Sequence, residues 1–208
     1  MLELAPAIEI IEYSDENTVF LIDTTTFPES LVEERHKLLA TPKRRIEKAA
    51  SDYLLRRYLD DPEVFLLNDD AGKPFCTQFK GDISLTHSKS KVAIQFSKSF
   101  ICGIDIQIIE ERIKRLASKF LNNNELLFIN STPENEQAEL ITKCWCIKEV
   151  VYKTLGAGFH DYHEGFRIRP FTIKDEIIIC DIETEGIADS YKIKISRLGD
   201  FALAYRIG

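Results

Sequence analysis

The sequence predicts an α+β fold built of two similar α/β halves related by pseudo-twofold symmetry, with the active site in the cleft between them. Three observations predict it. The end of the chain echoes its middle: Ile83-Ser-Leu-Thr-His, a turn and Val92-Ala-Ile-Gln-Phe resemble Ile193-Lys-Ile-Ser-Arg, a turn and Phe201-Ala-Leu-Ala-Tyr. Each of these strand pairs follows a region that contains a long helical pattern. The length of 208 residues, 44% of them hydrophobic, suits one large domain or two small ones. The division is expected near Gly103, giving an N-terminal half over 1–103 and a C-terminal half over 104–208. Ligands favour clefts between such halves.

Taken in order, residues 7–13 and 17–23 alternate or run apolar and read as two strands around an Asp-Glu-Asn turn. Pro28 to Ala40 reads as a helix. Thr41-Pro42 is a helix start, with Thr as N-cap and Pro in the first position, and the helix runs to about Leu59. Its buried side is Ile46, Ala49, Ala50, Tyr53, Leu54 and Leu59. Val64 to Leu67 reads as a short strand and Asn68 to Pro74 as a turn by composition. Ile83 to Thr86 and Val92 to Phe96 are strands joined by a turn over 87–90. Phe100 to Ile106 is an apolar strand except for Asp105. Residues 110–121 read as a short helix that Asn122-Asn123-Asn124 breaks. Glu134 opens a long helix through Leu155, closed by Gly156 and Gly158. Strands are expected near 165–173, 176–183, 190–197 and 201–207.

Charge and cysteine usage narrow the function. With 27 basic and 34 acidic residues the net charge is -7, which argues against a nucleic-acid partner but allows an anionic ligand on a local basic cluster. The five cysteines form no Cys-x-x-Cys pair, so zinc is not expected and reduced, mostly buried thiols in a cytoplasmic protein are. The N-terminus, Met-Leu-Glu-Leu-Ala-Pro, shows no signal peptide, and no membrane span is visible.

The long helix is the most informative stretch. Leu140, Cys144, Ile147, Val151 and Leu155 form an apolar stripe at helical period. Trp145, Glu149, Tyr152 and Lys153 fall on the opposite face, with Lys148 at its edge. Glu149 and Lys153 alone could be an ordinary surface pair, but a Trp and a Tyr beside them indicate a face that meets something. Asp105 is an acid inside an apolar strand, a costly placement unless it is paired or metal-bound. Gln107 lies on the same strand face. His87 sits at a strand-to-turn junction, where side chains commonly reach a cleft. The bases Lys43, Arg44, Arg45 and Lys48, with Arg35, His36 and Lys37 upstream and Arg56 and Arg57 downstream, are either a solvated face or a phosphate clamp.

Together these residues resemble the phosphopantetheinyl transferase superfamily, especially its two-half surfactin-synthetase-activating type. The resemblance runs from about Lys43 to Phe171. It consists of Lys-Arg-Arg-Ile-Glu before an Ala-Ser-Asp-Tyr-Leu-Leu-Arg helix, Gly72-Lys73-Pro74, Thr86-His87-Ser88, Gly103-Ile104-Asp105-Ile106, and Trp145-x-x-Lys148-Glu149-x-x-x-Lys153. The last two, at this separation, are specific; the others alone are weak.

The resemblance implies transfer of the phosphopantetheine arm of coenzyme A to a serine of an acyl or peptidyl carrier protein, serving fatty-acid or secondary-metabolite synthesis. It implies that Asp105 and Glu149 hold Mg²⁺ (or Mn²⁺), that Glu149 also takes the serine proton, and that Lys153 with Lys148 neutralises phosphate charge. His87 and a base of the 43–45 cluster, Arg44 or Arg45, would bind the ribose phosphate with Thr86 beside them, and Lys73 and Pro74 would line the adenine site. Two departures stand out. Gln107 takes the place of the second acid that two-half members usually carry, and the arginine that some relatives use for the ribose phosphate falls near Glu47. Arg112, Arg115, Leu116 and Phe120 in the basic, apolar segment 110–121 are the expected contacts to an acidic carrier. The competing readings are a non-catalytic binder of coenzyme A or carrier protein and a purely structural module. Two halves in one chain favour a monomer.

Overall fold

The computed structural model describes residues 5–156, 158, 161–184 and 186–208. Part of the N-terminal reading, residues 1–4, lies outside them. The chain divides into two compact units, Met1–Ile101 and Cys102–Gly208. Among the described residues no helix is long and apolar enough to cross a membrane.

In the first unit, β1 (Ile8–Tyr13) and β2 (Asn17–Asp23) form one hairpin, and β5 (Asp82–Ser88) and β6 (Lys91–Ser97) another. They combine into an antiparallel sheet of order β1-β2-β6-β5. Helix α2 (Pro42–Leu59) begins as its sequence dictates: Thr41 Oγ1 accepts the Arg44 N–H and Pro42 occupies the first turn. Its Ala49, Ala50, Leu54 and Leu55 pack with Phe20, Ile22, Ile94 and Phe96; the expected Ile46, Tyr53 and Leu59 flank that core, partly buried.

Two expectations fail here for one reason. Residues 28–40 are not a continuous helix but a 3-10 turn at Glu29–Leu31 and a single turn α1 (Glu34–Lys37). Residues 64–66 are not in a strand and precede only a two-residue ladder of β3 (Leu67–Asn68) with β4 (Pro74–Phe75). In both places side chains satisfy the backbone or anchor the chain, with fully buried Asp52 of α2 at the centre. Asp52 takes the Leu66 N–H at 2.8 Å, Lys48 at 3.1 Å and His36 Nε2 at 2.9 Å. Lys48 also donates to the Leu66 carbonyl, and Arg56 to that of Val64. Hydrogen bonds that a strand would send to a neighbouring strand go to the helix instead.

In the second unit, β7 (Ile104–Ile108), β8 (Phe166–Ile168), β9 (Ile177–Thr184), β10 (Ile187–Leu198) and β11 (Phe201–Arg206) form an antiparallel sheet of order β7-β11-β10-β9-β8. The long helix α4 (Glu134–Leu155) packs on it, burying Leu140, Cys144, Ile147 and Val151 with Ile193, Ile195, Ala202 and Ala204. Gly103 makes close approach possible. A Cβ there would lie 2.3 Å from the Val150 carbonyl oxygen and 2.5 Å from Thr154 Oγ1, so only glycine lets the chain enter β7 against α4.

Residues 110–121 form two 3-10 turns, Glu111–Arg115 and Ala117–Lys119, rather than one helix. The tighter winding turns Ala117, Phe120 and Leu121 inward together. The asparagine run does not end structure; it starts a helix, α3 (Asn123–Asn130). Asn122 and Glu125 exchange side-chain and backbone hydrogen bonds at 2.9 and 3.0 Å, a capping box that the Asn-x-x-Glu spacing spelled out.

Candidate active site

Adjacent residues on α4 point about 100° apart, and this separates Lys148 from Glu149. Lys148 turns inward, with no exposed surface. Its ammonium pairs with Glu125 at 2.7 Å and donates to the Tyr162 carbonyl. That corrects the expectation that Lys148 faces phosphate: a buried ammonium needs an anion and acceptors, and it has both. Glu149 remains half-buried, and the Tyr162 hydroxyl donates to its Oε1 at 2.8 Å.

One turn further, Lys153 donates to the Ile104 carbonyl at 2.8 Å and to Asp105 Oδ1 at 2.9 Å. Helix α4 and strand β7 therefore bring Lys153 onto Asp105, with Glu149 near enough for the charges of both to act on it. Asp105 is 6% exposed and lies close enough to Cys146, whose thiol donates to the Ala202 carbonyl, for the two to interact. Its partner on β11 is Ala204, and that of Gln107 is Ala202, so small side chains flank the two polar ones.

The electrostatics set Glu149 apart from the acids around it. Burial raises its pKa above the ordinary glutamate range, and the charge of Asp105 adds to the rise; Tyr162 and Lys153 oppose it. Burial and then the Glu149 charge raise the Tyr162 pKa far enough that the phenol stays protonated and acts as a donor. Cys146 is likewise pushed well above its usual range, chiefly by burial. A carboxylate with a raised pKa beside a second carboxylate and a lysine is the arrangement expected where protons or cations are handled.

The donor set fits a hard cation. Asp105 and Glu149 offer only oxygens, and Gln107, two residues from Asp105 on the same strand, has an amide carbonyl oxygen to add. Among the described residues no group of three or more His, Cys, Asp or Glu is arranged around one point. An ion on two carboxylates must complete its shell with water or substrate oxygens, which is the habit of Mg²⁺ at phosphate sites.

An aromatic cluster borders Glu149. Tyr162 lies 6.0 Å from Trp145 and 5.5 Å from both Tyr152 and Phe166, measured between ring centroids. Beside it opens a cavity of about 380 Å³ whose lining includes Leu116, Lys119, Phe120, Trp145, Tyr162 and His163. Arg112, Arg115 and Leu116 are exposed. Phe120 is not an outward anchor: it is 3% exposed and packs edge-on against Trp145 at 5.0 Å.

The first unit sorts its bases into two groups. His36, Lys48 and Arg35 surround Asp52, and Arg56 pairs with Glu33; these are structural. Because His36 Nδ1 accepts the Glu33 N–H, its Nε2 carries the proton given to Asp52. Arg45 donates to the Leu39 carbonyl at 2.8 Å, whereas Arg44 is exposed. Glu47 draws His87 to 3.4 Å and Lys43 to 3.5 Å, and Lys73 pairs with Asp82 at 2.6 Å. Pro74 lies on β4, which packs beside β5 where Thr86 is buried and His87 exposed.

Tyr162, Cys146 and Glu125 went unrecognised in the sequence. Glu125 could have been found from its capping box; nothing in the local pattern singles out a tyrosine in the loop after α4.

Comparison with known proteins agrees with this geometry. A family model described as the 4'-phosphopantetheinyl transferase superfamily matches residues 101–205, essentially the unit that carries Asp105, Glu149 and Lys153. The chain is also similar to the 4'-phosphopantetheinyl transferase gsp of Aneurinibacillus migulanus, with 29% identity over 115 residues. That alignment spans 52% of this chain and 48% of the relative, about half of each. With the family's match covering half of the chain and falling on its acid pair and lysine, the protein belongs to the 4'-phosphopantetheinyl transferase superfamily.

Proposed function

We propose that the protein transfers the 4'-phosphopantetheine arm of coenzyme A to a serine of an apo acyl or peptidyl carrier protein, with Mg²⁺, releasing 3',5'-ADP. The observation that carries this reading is the grouping of Asp105, Glu149 and Lys153 within the family-matched unit. Asp105 and Glu149, with Gln107, would hold the ion, which when bound supplies positive charge to the pyrophosphate oxygens.

Within this reading Glu149 accepts the serine proton, directly or through one water, as the hydroxyl oxygen forms its bond to the phosphorus bearing the pantetheine arm. The bond from that phosphorus to the bridging oxygen breaks, and the electron pair leaves with 3',5'-ADP. The raised pKa of Glu149 makes it a better base than an ordinary carboxylate. Lys153 offsets phosphate charge beside Asp105. Exposed Arg44 or Arg45, whose Nε–H goes to the Leu39 carbonyl, is with His87 the candidate for the ribose phosphate, and Lys73 and Pro74 for the adenine site. Arg112, Arg115 and Leu116 meet the carrier, with the Trp145 cavity beside them. We place the reaction in the cytoplasm with the protein acting as a monomer.

The test is one incubation of the protein with coenzyme A, Mg²⁺ and a panel of apo carrier proteins, read by intact mass. One phosphopantetheine is expected on at least one carrier. No gain on any of them, with Mg²⁺ or Mn²⁺ at saturating coenzyme A, overturns the proposal.

A further inference from the structure

We propose that Tyr162 is a positioning residue for Glu149, and that the buried Lys148–Glu125 pair holds Tyr162 in place. The inference rests on the transferase reading and adds residues that reading does not use. Its basis is a continuous set of contacts. The Tyr162 hydroxyl donates to Glu149 Oε1 at 2.8 Å. The backbone carbonyl of the same tyrosine accepts from Lys148, whose ammonium is paired with Glu125 at 2.7 Å.

Glu125 is itself fixed. It accepts the Asn122 N–H at 3.0 Å through one oxygen and the Ile168 N–H at 2.8 Å through the other. The tyrosine loop is braced locally as well: Asp161 Oδ1 accepts the backbone N–H groups of His163 and Glu164 at 3.0 and 2.9 Å. Aromatic neighbours leave the Tyr162 ring little freedom to turn.

The consequence is that the two oxygens of Glu149 become unlike. Oε1 is committed to the phenol, so Oε2 is the oxygen presented to a substrate proton or a cation. A glutamate side chain has several rotatable bonds, and one fixed oxygen removes most of that freedom before substrate arrives. It also explains why a lysine adjacent to the catalytic glutamate is wholly buried. Lys148 acts on the site through the Tyr162 backbone, not through phosphate.

The experiment uses Tyr162→Phe, which keeps the ring and removes the hydroxyl. A hydrogen bond to a charged group is lost, so kcat is expected to fall by roughly 10- to 100-fold, with KM for coenzyme A and carrier within about twofold. A companion variant, Lys148→Met with Glu125→Gln, neutralises both buried charges together; adding Tyr162→Phe to it should cost less than Tyr162→Phe costs alone. A third arm needs no activity: urea midpoints of Tyr162→Phe, Glu149→Ala and the double variant should be non-additive, because both changes break one contact. If wild type modifies no carrier yet the urea coupling persists, the transferase reading falls and the Tyr162–Glu149 pairing stands. A kcat within about twofold of wild type, a loss carried by KM alone, or additive urea midpoints overturns the inference.

Discussion

Each unit places a carboxylate on its long helix, and the two carboxylates have opposite fates. Asp52 of α2 is fully buried and takes hydrogen bonds from His36, Lys48 and the Leu66 backbone, with Arg35 3.2 Å away. Glu149 of α4 is half-buried, accepts one described hydrogen bond from Tyr162 and lies close enough to Asp105 for the two charges to interact. A carboxylate whose acceptor sites are filled by the protein organises the fold around itself. One with an oxygen still to give, and a like charge beside it, is kept at a disadvantage that a proton or a cation relieves. Burial alone does not make this distinction, because the more buried of the two is the one whose acceptor sites are filled.

The most severe test is to neutralise each acid in turn. Glu149→Gln should lower kcat by about 10²–10⁴-fold, the usual worth of a general base, while the urea midpoint stays level or rises. Asp52→Asn should do the reverse. It takes the anion from Lys48 and one of two anions from Arg35, which keeps Glu33, and costs about 1.5–3 kcal/mol in urea unfolding, with activity per folded molecule unchanged. If both variants lose both properties, the contrast is void.

The pH dependence sharpens it. The Glu149 pKa is raised in the folded protein, so between the ordinary glutamate value and the raised one the unfolded chain is ionised while the folded chain still holds its proton. Relative to Glu149→Gln, wild type should pay no stability penalty below that window and the full penalty above it. Over the same fall in pH, the Mg²⁺ needed for half-maximal activity should increase, because a proton competes for the carboxylate. Thermal scans and Mg²⁺ titrations at stepped pH measure both.

Smaller effects test the surroundings. Gln107→Glu adds a charged oxygen two residues from Asp105 on the same strand face and should tighten Mg²⁺ severalfold, with kcat at saturating metal nearly unchanged. An unmoved Mg²⁺ titration would take Gln107 away from the ion. Reversing Arg112 and Arg115 to Glu should raise the carrier KM by a few-fold, less so at high salt, and leave the KM for coenzyme A alone.

Much of this was legible in the sequence, for identifiable reasons. Thr41-Pro42 carries its own start signal, and α2 and α4 hold helical periodicity over many turns. Asp105 is conspicuous because an acid in an apolar strand demands an explanation, and Glu149 and Lys153 share a helix face by spacing alone. What stayed hidden depends on partners distant in the chain. Lys148 reads as polar and therefore outward; its burial is decided by Glu125, and its contact with the loop by Tyr162. Residues 28–40 and 64–66 read as regular elements until Asp52 and the side chains around it claim their backbone. Phe120 could be a surface anchor or a core residue by composition, and Trp145 makes it core.

The five cysteines, all free and all buried, have a practical consequence. Burial pushes the thiols of Cys144 and Cys146 well above their usual range and that of Cys180 up to about 12, so little thiolate forms near neutral pH. To an alkylating reagent the folded chain is nearly without targets. Modification therefore counts opening events. Cys76 reports on the first unit and the other four on the second, so one reagent with peptide mass readout follows the loosening of each unit separately, without an added label.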